Sequence, residues 1–234
     1  MERPTAHSPE RCRYCLNEAC LFVDVSREDL AFEPERFTQT IEYEKGQTLF
    51  QEGAPVYGYY ILCEGAVKLS RHLAGGKKLI VAVLGPGDIL GLEASHRGRF
   101  ALEAEALEHT RVGFIDKREF TRLLERHPRF AAALVEKLSE EVSKLQEHLW
   151  ATLRRGARGR IAYLLLELSR THGRNHPEGV LIDVVLTREE LAEMAGVARE
   201  TASLILSEFQ SKGWIASQGR KILVRDRAAL ESLL

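Results

Sequence analysis

Several features that would decide the class of this 234-residue sequence at once are missing from it. No apolar run approaches the roughly 20 residues that span a bilayer, so neither a membrane helix nor a membrane partner is expected. Met1–Cys20 carries no charged stretch followed by an apolar one, the form of a secretory leader, and the chain is expected in the cytoplasm. Low-complexity tracts are absent, and 44% hydrophobic with 29% charged residues is the balance of a folded protein with room for two ordinary domains. Net charge is scarce, −1 overall, which argues against a sequence-blind polyanion binder. The eight histidines are scattered through tails, turns and helices, and no paired carboxylates accompany a nucleophile. A hydrolase or oxygenase needs one of those constellations, so an enzyme built on this chain is the remote alternative.

Cysteine is also scarce, four residues in all, yet three of them crowd into RCRYCLNEAC as Cys12, Cys15 and Cys20; the fourth is Cys63. In a cytosolic chain a C-x2-C-x4-C run is more often a metal or redox site than a disulfide framework. A short C-x2-C turn points two thiolates at one centre, and soft thiolates suit both iron–sulfur clusters and zinc. The spacing does not separate the two metals, and reactive or idle thiols are the remaining reading.

What is present elsewhere is patterned. From Asp24 to about Phe120, short apolar stretches such as Thr48–Phe50, Tyr59–Cys63, Ala66–Leu69, Leu79–Leu84 and Arg111–Ile115 alternate with glycine turns, which predicts an antiparallel roll. After Asp116 the period becomes helical: a short helix at Lys117–Leu124 stops before His127-Pro128, and a long one runs from about Arg129 to Arg154. On the long helix Phe130, Leu134, Leu138, Val142, Leu145, Leu149 and Leu153 recur at steps of three or four residues. Such a seam is what a coiled-coil homodimer needs, although the same face also suits packing on the chain's own roll. Gly156 and Gly159 then interrupt an Arg-rich block and mark an expected hinge, followed by an apolar supporting helix at Ile161–Leu168.

Leu186–Trp214 reads as a helix, a glycine turn and a second helix. Thr187 and Glu190 are spaced as a capping box, Gly196 allows a sharp turn, and Ala202, Ile205, Leu206 and Phe209 make one buried face. The opposite face begins with Arg199 and Glu200 and continues through Ser203 and Ser207, placing hydrogen-bonding groups where a recognition helix meets base edges. Trp214–Ser217 and Lys221–Val224 flank Gln218-Gly219-Arg220 as a hairpin wing. From Arg154 onward the chain holds 13 Lys/Arg against 10 Asp/Glu, modestly basic, which suits phosphate contacts. The expected fold is therefore α+β: a cysteine-bearing segment at 1–23, a β-roll at 24–127, a dimerisation helix at 128–155 and a winged helix-turn-helix at 156–234.

Lys45–Leu69, Leu84–Gly91 and Gly196–Leu206, together with the order of the domains, resemble the CRP/FNR family of bacterial transcription regulators. The resemblance implies a cyclic-nucleotide-binding-like roll and a homodimer on double-stranded DNA with a two-fold symmetric site, with RNA polymerase as a further partner. The cysteine run resembles the FNR branch, which implies a [4Fe–4S] cluster responding to oxygen or nitric oxide; zinc with thiol oxidation is the alternative. Arg199, Glu200 and Ser203 match the base-reading positions. Thr187, Arg188, Arg220 and Lys221 are expected at phosphates. The sequence departs from the pattern in four places. The family's fourth cluster cysteine falls at Gly113, leaving Cys63, a carboxylate, an imidazole or an exogenous ligand to complete the set. Phe100 follows Arg99 where the cyclic-nucleotide branch has a hydroxyl residue, so weak or no cyclic-nucleotide binding is expected. Leu204 replaces a base-reading arginine and offers only an apolar contact, for example to a thymine methyl. Ala198 replaces the hydroxyl cap of the second helix.

Overall fold

Among the described residues, eight short strands carry the first half of the chain, each with buried or, in the first, partly buried positions among more exposed ones: β1 (Gln39–Tyr43), β2 (Thr48–Phe50), β3 (Gly58–Glu64), β4 (Val67–His72), β5 (Lys78–Leu84), β6 (Ile89–Leu90), β7 (Glu103–Ala106) and β8 (Thr110–Asp116). The computed structural model describes residues 20–22, 38–73, 78–94, 98–154 and 156–234. Two antiparallel sheets, in the orders β1-β8-β3-β6 and β2-β7-β4-β5, make the expected roll. Leu62, Val67, Leu90, Val112 and Ile115 form its core. Ile61 pairs with Gly113, and Gly58 pairs with Asp116, where a Cβ would collide with the Ile115 carbonyl oxygen; only glycine fits there. The register shifts between Leu62 and Glu64, so Cys63 sits in a bulge of β3.

Asp116 ends β8 and caps the helix that follows, α1 (Lys117–Arg126), its carboxylate accepting from the Arg118 amide at 2.7 Å. Pro128 opens the long helix α2 (Pro128–Arg154), where its missing N–H costs nothing. The start of α2 is bound into the core. Phe130 lies 5.9 Å from Phe120 and 5.1 Å from Phe22, while Phe120 packs 4.6 Å from Tyr59. This corrects the proposed dimer seam: Phe130 (0% exposed) and Leu134 (7%) are consumed by the chain's own core. Leu138, Val142 and Leu145 are 43–60% exposed, and Val135 is exposed beside them; the side chain of Leu149 lies outside those described. Lys137 adds a tie, its Nζ donating to the Gly87 carbonyl at 2.8 Å.

The chain divides into two compact units, one holding residues up to Lys68 with Leu84–Glu140, the other Leu69–Val83 with Glu141–Leu234. The division falls inside β4, β5 and α2. In the second unit α3 (Ala157–Thr171) starts at Gly156 and buries Ile161, Ala162, Leu165 and Leu168. Gly159, expected in a hinge, is buried in the first turn of α3; only Gly156 stands outside the helix. Two hairpins follow, β9 (Gly173–His176) with β10 (Gly179–Ile182), and the wing β11 (Ile215–Gln218) with β12 (Lys221–Val224); they join as one sheet in the order β11-β12-β10-β9. Between them lie α4 (Arg188–Ala195) and α5 (Arg199–Ser211), and α6 (Arg227–Glu231) ends the unit. No described helix is long and apolar enough to cross a membrane.

Candidate nucleic-acid interface

The entry to α4 is fixed by a reciprocal cap. Thr187 Oγ1 accepts from the Glu190 amide at 3.1 Å, and the Thr187 amide donates to the Glu190 carboxylate at 2.8 Å. The Thr187 hydroxyl also donates to that carboxylate at 3.0 Å, so it is engaged within the helix, while Arg188 beside it is exposed. At the other end Gly196 adopts φ 60°, and the Val197 amide donates to the Ala192 carbonyl at 3.0 Å, closing α4 tightly enough for α5 to begin three residues later. Ala198 stands at the start of α5 with extended dihedrals and no side-chain cap.

One side of α5 is core: Ala202, Ile205, Leu206 and Phe209 are buried, and Phe209 meets the Trp214 ring at 5.2 Å. The opposite side presents Arg199, Glu200, Leu204 and Ser207 to solvent, with Ser203 half-buried. The sequence-predicted base readers thus share one exposed face. Leu204, 74% exposed, is the most exposed large apolar side chain among the described residues. Glu208 is anchored from both sides, by Arg158 at 2.8 Å and by Lys212 at 2.8 Å. The Lys212 hydrogen bond, helped by the Arg158 charge and opposed by desolvation, holds the Glu208 carboxyl below its ordinary value. These ties set α5 against α3.

The start of α4, the core edge of α5 and the wing enclose a cleft of about 250 Å³. Thr187, Arg188, Arg220 and Lys221 all line it, so the four residues expected at phosphates converge on one place. They are not equivalent. Arg220 is exposed at the hairpin turn, where Gly219 takes φ 62°. Lys221 is bound to Asp183, whose second oxygen is bound by Arg174. Burial acts to raise the Asp183 carboxyl, but the hydrogen bonds and charges of Lys221 and Arg174 outweigh it and hold it below its ordinary value. The charge of Lys221 is therefore already paired within the chain.

The first unit carries the other expected sites. Cys12 and Cys15 lie outside the described residues. Cys20 is buried and Cys63 half-buried, its thiol donating to the Ile61 carbonyl at 3.5 Å. Among the described residues no three or more His, Cys, Asp or Glu are grouped to hold a metal ion, so described residues alone do not assemble the donor set of a cluster. At Gly113 the atoms nearest to an added Cβ belong to Thr38, at 3.5–3.8 Å, so a Cβ would make ordinary contact there. Inside the roll Phe100 stacks on Phe50 with centroids 3.8 Å apart, and Phe50, Tyr60 and Phe114 continue the aromatic row. Arg99 is exposed and donates to the Gly53 carbonyl at 2.8 Å.

A capped first helix, a glycine turn, a second helix with a polar outer face and a two-stranded wing, in a chain that also carries a β-roll, define a DNA-binding regulator with an effector-type domain. Residues 159–233 match the Crp-like helix-turn-helix domain, and residues 40–127 match the cyclic nucleotide-binding domain. The chain is similar to the Global nitrogen regulator of Synechococcus elongatus, 30% identical over 200 residues, 82% of this chain and 88% of the relative. It is 26% identical over 231 residues to the Transcriptional activator protein anr of Pseudomonas aeruginosa, covering 98% of this chain and 93% of that one. Among solved structures, FixK2 from Bradyrhizobium japonicum superposes with a TM-score of 0.73 at 26% identity, over 84% of this chain and 96% of that one. The chain belongs to the CRP/FNR family of transcription regulators. Its relatives are DNA-binding regulators, not enzymes.

Proposed function

We propose that two copies of this chain pair through α2 and lay their α5 helices into successive major grooves of a near-palindromic duplex. Arg199 is the principal base reader, Glu200 accepts from a cytosine amine, and Ser203 adjusts the context. Arg188 and Arg220 hold phosphates on either side of the cleft, with Thr187 and Lys221 supporting them. The observation that carries this reading is the division of α5, whose buried residues all lie on one side while Arg199 and Glu200 stand exposed on the other. RNA polymerase is the expected further partner of the DNA-bound dimer.

In the same reading, Cys12, Cys15 and Cys20, with Cys63 as fourth ligand, would hold a [4Fe–4S] cluster, which would supply a centre sensitive to oxygen or nitric oxide. Support comes from Phe22, two residues beyond Cys20, which packs on Phe130 at the start of α2. A rearrangement of the thiol-bearing segment therefore acts directly on the helix proposed to pair, and biases its equilibrium. A cyclic nucleotide is not part of the proposal, because the Phe50–Phe100 stack occupies roll interior beside Arg99.

The test is selection from random oligonucleotides with anaerobic and aerobic preparations of the full chain, alongside visible spectra and iron, sulfide and zinc analysis. Enrichment of a two-fold symmetric sequence, differing in strength between the preparations, with iron and sulfide in the anaerobic one, is expected. If neither preparation enriches such a sequence, the DNA reading is wrong. Zinc without iron or sulfide replaces the cluster with a thiolate–zinc site.

A further inference from the structure

The exposed face of α5 is polar except at one point. Leu204 lies one turn beyond Glu200 on that face, opposite the buried Ala202 and Phe209, with Ser203 before it and Ser207 three residues after it. Neither serine is long enough to cover a leucine, and 74% of the side chain is open to water. Its other neighbour one turn on, Glu208, is occupied by Arg158 and Lys212 and does not reach toward it as a free charge. An apolar group held in the middle of a reading face has only one complementary feature in the major groove. Guanine, cytosine and adenine present donors and acceptors there, which lose water without gaining a partner when a leucine covers them. Thymine alone presents an apolar group, its C5-methyl.

We propose that Leu204 is a specificity-determining residue that selects thymine in each half-site by packing against its C5-methyl group. The proposal rests on the reading that α5 enters the major groove. It adds that one position of the site is chosen through a methyl group, where Arg199 and Glu200 choose theirs through hydrogen bonds. Since 5-methylcytosine carries the same methyl at the same ring position, Leu204 also accepts that base better than unmodified cytosine. An arginine at position 204 would exchange the methyl contact for two donors and turn the preference to guanine.

The experiment uses the full chain and the duplex enriched by selection. Each thymine is replaced in turn, in both half-sites, by deoxyuridine, which differs only in lacking the methyl, and binding is followed by fluorescence anisotropy at fixed ionic strength. Burial of one methyl is worth about fourfold in affinity, so a symmetric double replacement costs on the order of tenfold. One thymine position should show that loss with the wild-type chain and none with Leu204→Ala. At the same position 5-methylcytosine should bind more tightly than cytosine, and selection with Leu204→Arg should return guanine. Because Leu204 lies on the solvent side of α5, the thermal melts of these variants should match the wild type. Equal binding of every deoxyuridine duplex by the wild type, or a loss that persists in Leu204→Ala, overturns the proposal while leaving the DNA-binding reading intact. Selection that enriches no duplex overturns both.

Discussion

Lys221 in the wing donates to Asp183, the residue that follows strand β10 and that Arg174 also binds, so two of the cations near the candidate interface are gathered around one carboxylate. Asp183→Asn should release Lys221 and Arg174 together. Affinity should rise for all duplexes alike, and the slope of log K against log salt should steepen by about one for each additional phosphate that a released side chain neutralises. Titration in salt by anisotropy checks this; an unchanged slope would show that Lys221 does not reach the backbone. The pH dependence has a definite sign. The Asp183 carboxyl is held below its ordinary value of 3.8, so its stabilisation is whole above that pH and is lost as pH falls through the lower folded value. Wild type and Asp183→Asn should therefore differ in melting temperature near neutrality and converge in strong acid.

Arg199→Ala should weaken specific binding by about 1–3 kcal/mol and relax selection at one base pair per half-site, without altering the melt. Selected sites identical to those of the wild type would place α5 wrongly on the duplex.

The Phe50–Phe100 stack should leave the roll indifferent to cyclic nucleotides. Saturating cyclic AMP or cyclic GMP should not shift the melting temperature, whereas a bound ligand would raise it by mass action. Phe100→Ala, which removes a ring that is 5% exposed, should cost roughly 3–5 kcal/mol in chemical denaturation.

Self-association and folding should separate along α2. Leu138→Glu combined with Val142→Glu places charge on positions 43% and 53% exposed and should give a monomer in sedimentation, with the melt of the roll retained. Phe130→Ala should instead lower stability by about 3–5 kcal/mol. A double variant that sediments as the wild type would move the pairing face elsewhere.

Much of this was readable from the chain because local chemistry and tertiary need agree there. Thr187, Glu190 and Gly196 carry their cap and turn in their own residue types, and the spacing of Ala202, Ile205, Leu206 and Phe209 marks the buried side of α5 without reference to anything else. The seam on α2 was legible as apolar but not as divided. Phe130 and Leu138 have the same character in sequence, and only the packing of Phe22 and Phe120 around the first makes it core. The β9–β10 hairpin carries too few alternating apolar residues to announce itself; its strands exist because β10 pairs with β12 of the wing. Likewise, nothing local tells that Lys221 is taken by an aspartate 38 residues away.

The split of α2 bears on how such a protein changes over time. Its opening turns answer to the fold, and Leu138, Val142 and Leu145, exposed beyond them, do not, so the two sets of positions are free to vary under separate selection. In the pairing proposed for α2, partner strength can drift, tighten or be exchanged between lineages while the architecture beneath stays as it is.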